Sequence, residues 1–150
     1  WEPHLFKALC PGKERRVGRD EWLRRLLEAV EVFGRGNVNT HMVAGIELAQ
    51  PYGFSEVGRA VESTSQGLDF LMEHGVLPTM QSWICEPGSS LAGHPLITLD
   101  YFIQIDRNWY QIWKEHGLPA GFMGPVGPGQ ATWALSAFRD MGSQATGELD

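Results

Sequence analysis

Two short stretches hold the side chains best suited to chemistry. The first is "GNVNTHMVAGIE", residues 36–47, which sets a histidine, His41, ahead of a glycine, Gly45, and a carboxylate, Glu47. Val43 and Ile46 flank that glycine. A glycine inside a strand weakens it and marks a bend or a close approach by another molecule. Without a side chain, Gly45 lets a flat ring lie against the backbone. Glu47 can accept hydrogen bonds from hydroxyls or from an amine. The plain alternative is that Gly45 eases a turn and Glu47 caps or solvates a loop; on spacing alone that alternative carries more weight. The second stretch is "WICEPGSSLAGHP", residues 83–95, with Glu86, Pro87 and Gly88 ahead of two serines. It suits a backbone nest for an anion, and it suits an ordinary turn better. Gln81 and Trp83 lie just before it and are candidates to line a substrate cavity.

Other chemistries find little support. The five histidines include no i, i+4 pair and no HExxH, so a zinc enzyme is disfavoured. There is no G-x-S-x-G elbow, no C-x-x-C and no Walker loop. Cys10 and Cys85 stand 75 positions apart and match neither a disulfide scaffold nor a metal site; isolated thiols fit a reducing cytoplasm.

These stretches need elements to position them. "PHLFKALCPG" reads as a short helix closed by Pro-Gly. "VGRDEWLRRLLEAVEVFGRG" reads as a helix with Asp20 as N-cap, Gly34 as stop, and a stripe of Trp22, Leu23, Leu26, Leu27, Val30 and Phe33. A strand over residues 37–46, a helix from Ser55 to Gly75, a strand over residues 76–84 and an aromatic helix over residues 99–117 follow. Helices of this length between strands predict βαβ units, and hence an α/β fold built as a partial, half TIM-type β/α barrel with parallel strands. In such proteins ligands sit at the carboxyl ends of the strands, where both stretches lie. Residues 121–150 read as a Gly/Pro-rich tail with a short helix near "WALSAFRDMG".

The chain has 150 residues, 43 % hydrophobic and 20 % charged, enough for one core. A net charge of -6 disfavours nucleic acid, and no apolar run is long enough for a membrane helix. Two strands make no stable domain alone, so the chain is expected to be a piece of a longer protein.

Three segments in order, "CPGKERRVGRDEWLRRLLEAVEVFGRGNVNTHMVAGIE", "SQGLDFLMEHGVLPTMQSWICEPGSSLAG" and "LDYFIQIDRNWYQIWKEHGLP", resemble the later half of a radical SAM enzyme of the biotin-synthase-like branch. The resemblance spans residues 1–120. It implies a barrel whose other half carries a CxxxCxxC loop holding a [4Fe-4S] cluster. It implies S-adenosylmethionine as cofactor, cleaved reductively to a 5'-deoxyadenosyl radical that abstracts hydrogen from substrate. It also implies a one-electron reductant such as flavodoxin or ferredoxin, and a small-molecule or cofactor-precursor substrate. The family's GxIxGxxE motif, laid on with Gly45 as its second glycine, places His41 where its first glycine stands and Val43 where its isoleucine stands; its acid falls on Leu48, one residue past Glu47. The "P-x-x-G-T-x-L" segment of the family is matched loosely by Pro87, Gly88 and Ser89. On this resemblance His41, Val43, Gly45, Ile46, Glu47, Glu86, Pro87 and Gly88 flank the cofactor, and the cluster ligands lie elsewhere. The competing expectations are half of a β/α barrel that binds a phosphorylated molecule at "EPGSS", and a non-catalytic α/β interaction domain.

Overall fold

Two prolines open the chain's first helices. In the computed structural model, which describes residues 1–85 and 87–119, α1 runs Pro3–Leu9 and α2 runs Pro11–Arg16. Proline suits a first helical position, where its missing N–H would be unpaired anyway. The Pro-Gly read as a stop therefore also starts a second helix. Next, α3 runs Arg19–Phe33, after Gly18 at φ 79° and up to Gly34 at φ 87°. Asp20, expected as its cap, lies inside the first turn, where its charge suits the helix dipole. Leu23 and Val30 are buried, whereas Phe33, assigned to the same stripe, is 65 % exposed at the helix end. Glu21 and Glu28 pair with Arg24 and Arg25 along the solvent side.

The sheet comes from a single βαβ unit. Strand β1, Val38–Ala44, pairs in parallel with β2, Val76–Ser82, in the register Val38↔Val76 through Ala44↔Ser82. Both strands end two residues before their expected limits. Helix α4, Val57–Glu73, joins them; Glu56 rather than Ser55 takes its N-cap position. Its buried residues Ala60, Val61, Thr64, Leu68, Leu71 and Met72 repeat at helical spacing. Residues 76–80 of β2 are all buried, as in a strand covered on both faces.

Helix α5, Leu99–His116, closes the structure and ends at Gly117 in the left-handed conformation. Tyr101, Ile105 and Trp109 recur every fourth residue and are buried against α4 and β2. The Trp109 indole N–H donates to the Pro78 carbonyl at 2.9 Å. The described residues thus form a mixed α/β structure with a small two-stranded parallel sheet. Glu86 and the tail 121–150, with its expected helix, lie outside the described residues.

Candidate functional site

The chain leaves β1 through a sharp turn. Gly45 has φ 95° and ψ -10°, a conformation that side chains rarely adopt. A Cβ there would fall 2.8 Å from Cγ1 of Ile97, so the space beside this glycine belongs to the loop ahead of α5. A 3-10 turn, Ile46–Leu48, then swings Glu47 inward, to 2 % exposure. The following loop doubles back, and the Phe54 N–H donates to the Glu47 carbonyl at 2.7 Å. Gly53 lies directly on that carbonyl and leaves no room for a Cβ.

A buried carboxylate needs partners. Glu47 Oε1 accepts from the Trp1 main-chain nitrogen at 2.8 Å, and Oε2 accepts from the Tyr101 hydroxyl at 3.5 Å. The Tyr101 oxygen is in turn 2.8 Å from Thr64 Oγ1. Burial, and then the charge of Glu47, push the Tyr101 hydroxyl far above its ordinary pKa, so it stays a donor. Trp1 is held on several sides. Arg19 Nε donates to its carbonyl at 3.2 Å, and the Arg19 guanidinium lies 4.4 Å from its ring. Phe70 is 5.4 Å from the ring, and Gly67 of α4 leaves the room the indole fills.

Between α1, α2, the start of α3 and β1 lies a cavity of about 490 Å³. Leu5, Phe6, Leu9, Trp22 and Met42 make it apolar; Thr40, Lys13 and Arg19 add polar groups. Of the residues singled out from sequence, His41, Val43, Ile46 and Glu47 line it together. Gly45 is not among its lining residues. Gln81 is exposed on β2, opposite Val43 in the register. Trp83 lies past the end of β2, where its N–H donates to the Ala44 carbonyl at 2.9 Å and its ring packs 4.8 Å from His94. Pro87 and Gly88 are exposed, and Gly88 has no neighbour within 4 Å of its missing Cβ. The loop that follows the first stretch nevertheless touches the second: the Gln50 N–H donates to His94 Nε2 at 3.2 Å.

His41 has one defined partner. Its Nδ1 is 2.6 Å from Thr79 Oγ1, which also lies 3.2 Å from the Thr40 carbonyl oxygen. A hydroxyl has one hydrogen, so Thr79 donates either to Nδ1 or to the Thr40 carbonyl, and the imidazole tautomer decides which.

The chain is 26 % identical over 103 residues to the bacteriochlorophyllide c C-7(1)-hydroxylase of Chlorobaculum limnaeum. That match covers 68 % of this chain and 23 % of the hydroxylase, so the chain spans about a quarter of that relative's length. No protein-family model and no solved structure matches it.

Among the described residues, no group of three or more His, Cys, Asp or Glu side chains is placed to hold a metal ion. Among them, too, no helix is long and apolar enough to cross a membrane. Sequence reasoning missed the N-terminal wall of the cavity: Trp1, Phe6, Lys13, Arg19 and Trp22. The aromatic content of "WEPHLF" and the Trp22–Arg19 spacing were the available signals, but neither shows which strand the helices cover.

Proposed function

We propose that the chain is part of a radical SAM enzyme, and that the end of β1 with the turn after it forms part of the wall against which S-adenosylmethionine lies. The observation that carries this reading is that Val43, Ile46 and Glu47, at the carboxyl end of a parallel strand, bound one apolar cavity. Carboxyl strand ends are where α/β proteins bind ligands. The cavity's size falls within the roughly 300–1,000 Å³ of small-molecule sites. The likeness to the Chlorobaculum hydroxylase is compatible with a radical SAM function, as is the order of the three segments quoted above.

The residues present fit a nucleoside. Val43 and Ile46 offer apolar contact for an adenine, and the Glu47 carboxylate, held by Trp1 and Tyr101, fixes the turn rather than reaching a ribose hydroxyl. Bound and reductively cleaved, the cofactor supplies a 5'-deoxyadenosyl radical that removes hydrogen from substrate. The described residues do not fit an iron–sulfur cluster, whose ligands this reading assigns to the rest of the polypeptide. In the same reading, residues 1–120 are part of a β/α barrel and the reductant is flavodoxin-like or ferredoxin-like. The relative's name points to a tetrapyrrole as the kind of substrate.

The test is made on the full-length protein, purified without oxygen. It is expected to be brown and, with dithionite, to convert S-adenosylmethionine to 5'-deoxyadenosine and methionine. A colourless protein that releases neither product ends this reading.

A further inference from the structure

We propose that His94 is a proton-sensitive pin: neutral, it fastens the loop ahead of α5 to the loop after β1, and charged, it lets that loop go. The inference goes beyond the radical SAM reading and does not depend on it, since the contacts that carry it all lie within the described residues. Residues 87–96 of the loop are mostly exposed, Leu96 to 79 %. The bonds inside it are local. The Leu91 N–H donates to Ser89 Oγ, the Ala92 N–H to the Ser89 carbonyl, and the His94 N–H to the Leu91 carbonyl. Such a segment opens at little cost unless something ties it down. His94 and Ile97 do so. Ile97 fills the space beside Gly45, and the His94 ring meets the main chain of Gln50.

Each nitrogen of the ring has a partner that allows it one role. The Gln50 N–H can only donate, so Nε2, 3.2 Å away, accepts and carries no proton. The Pro95 carbonyl can only accept, so Nδ1, at 2.8 Å, carries the hydrogen. The neutral tautomer follows from these partners alone. The Gln50 side of the joint is firm: its side-chain amide donates to the Gly53 and Phe54 carbonyls, and the Phe54 N–H donates to the Glu47 carbonyl. A proton added at Nε2 sets one N–H against another, and two donors cannot share a bond. The groups that face the ring are Gln50 from the loop after β1, Trp83 past the end of β2 at 4.8 Å, and Pro95 from its own loop; none of them titrates. Among the described residues the histidine ion pairs are those of His4 with Glu2 and His116 with Asp69, so no carboxylate there holds the charged His94 ring in place. With the pin out, Ile97 is free to leave Gly45, and the carboxyl end of β1 gains an open face.

Hydrogen exchange in the full-length protein, read by mass spectrometry and resolved to single amides, tests the pin. Measurements at about pH 5 and about pH 8 bracket the range in which imidazole titrates, and each rate is divided by the chemical exchange rate at its pH. The Gln50 amide is expected to be at least about ten-fold more protected at the higher pH, while amides of β2 and α4 stay protected at both. His94→Gln offers a side-chain carbonyl that accepts at either pH, so it is expected to protect Gln50 at both. His94→Phe keeps a ring against Trp83 but no acceptor, and is expected to leave Gln50 unprotected at both. Equal protection of Gln50 at the two pH values in wild type, a pH dependence that survives in His94→Gln, or loss of protection across β2 and α4 together with Gln50 would each overturn the proposal. No ligand enters the measurement. A protein that fails to cleave S-adenosylmethionine therefore ends the radical SAM reading and leaves this inference standing, and a Gln50 amide indifferent to pH does the reverse.

Discussion

Around β2, α4 and α5 the side chains interlock: Leu68, Met72, Met80, Tyr101 and Ile105 are 0 % exposed. Around β1 and the first three helices the packing is looser. Leu23, Val30 and Val38 keep 8–9 % exposure, and the cavity opens beside them. Both regions are apolar, so hydrophobicity alone does not separate them. Element length does. Helices α4 and α5 have 17 and 18 residues and present several turns to each other, whereas α1 and α2 have 7 and 6 and are broken at Pro11. Helices this short cover only part of a strand. One region therefore buries its side chains completely, and the other keeps a cavity.

Substitutions can break or sharpen this contrast. Trp109→Ala, in the filled region, is expected to cost about 3–5 kcal/mol in urea unfolding. Trp22→Ala, on the cavity wall, is expected to cost less than half as much, because one side of that ring already lacks partners; equal costs would erase the distinction. Glu47→Ala is expected to cost about 1–3 kcal/mol, since it strands the Tyr101 hydroxyl at the joint between the regions. Glu47→Gln should cost less, by the same denaturation measurement. At Gly45, alanine is expected to cost about 1–2 kcal/mol for the left-handed conformation, with the Ile97 contact adding to it. Thermal melting that matches wild type would show that the turn relaxes freely.

Tyr101→Phe is expected to cost about 1 kcal/mol at neutral pH. It also carries a pH signature. Burial and Glu47 raise the hydroxyl's pKa in the folded protein above the usual value near 10. Below about pH 10 both states hold the proton. Above it the unfolded chain releases its proton and the folded chain does not, so stability falls as pH rises. The phenylalanine variant should lose part of that fall, as read by unfolding between pH 9 and pH 11. Lys13→Ala, at the cavity rim, is expected to change stability by no more than about 0.5 kcal/mol.

The long elements were legible because their apolar residues repeat. The spacing of Leu68, Leu71 and Met72, and of Tyr101, Ile105 and Trp109, gave α4 and α5 their buried faces. Pro11 was ambiguous, since the same residue closes one helix and opens another. Phe33 was misplaced because periodicity continues to a helix end that the core does not reach. In the candidate site, four residues on one strand and its turn came together because they are close in sequence. Gln81 and Trp83 did not join them at the cavity, because the cavity lies on the side of β1 away from β2. The role of Gly45 was half legible. Its need for a special backbone shape follows from its type, but its neighbour Ile97 is 52 positions away and no local pattern points to it.

The bond from the Trp83 N–H to the Ala44 carbonyl fixes which peptide groups of β1 serve the sheet. In a parallel ladder both polar groups of a residue point to the same side, and sides alternate along the strand. Residues 38, 40, 42 and 44 therefore turn theirs to β2, while the main-chain groups of Asn39, His41 and Val43 point away from β2. On the proposed barrel reading that edge is where a further strand would pair, so β1 is the seam to the rest of the sheet and not a surface for a guest.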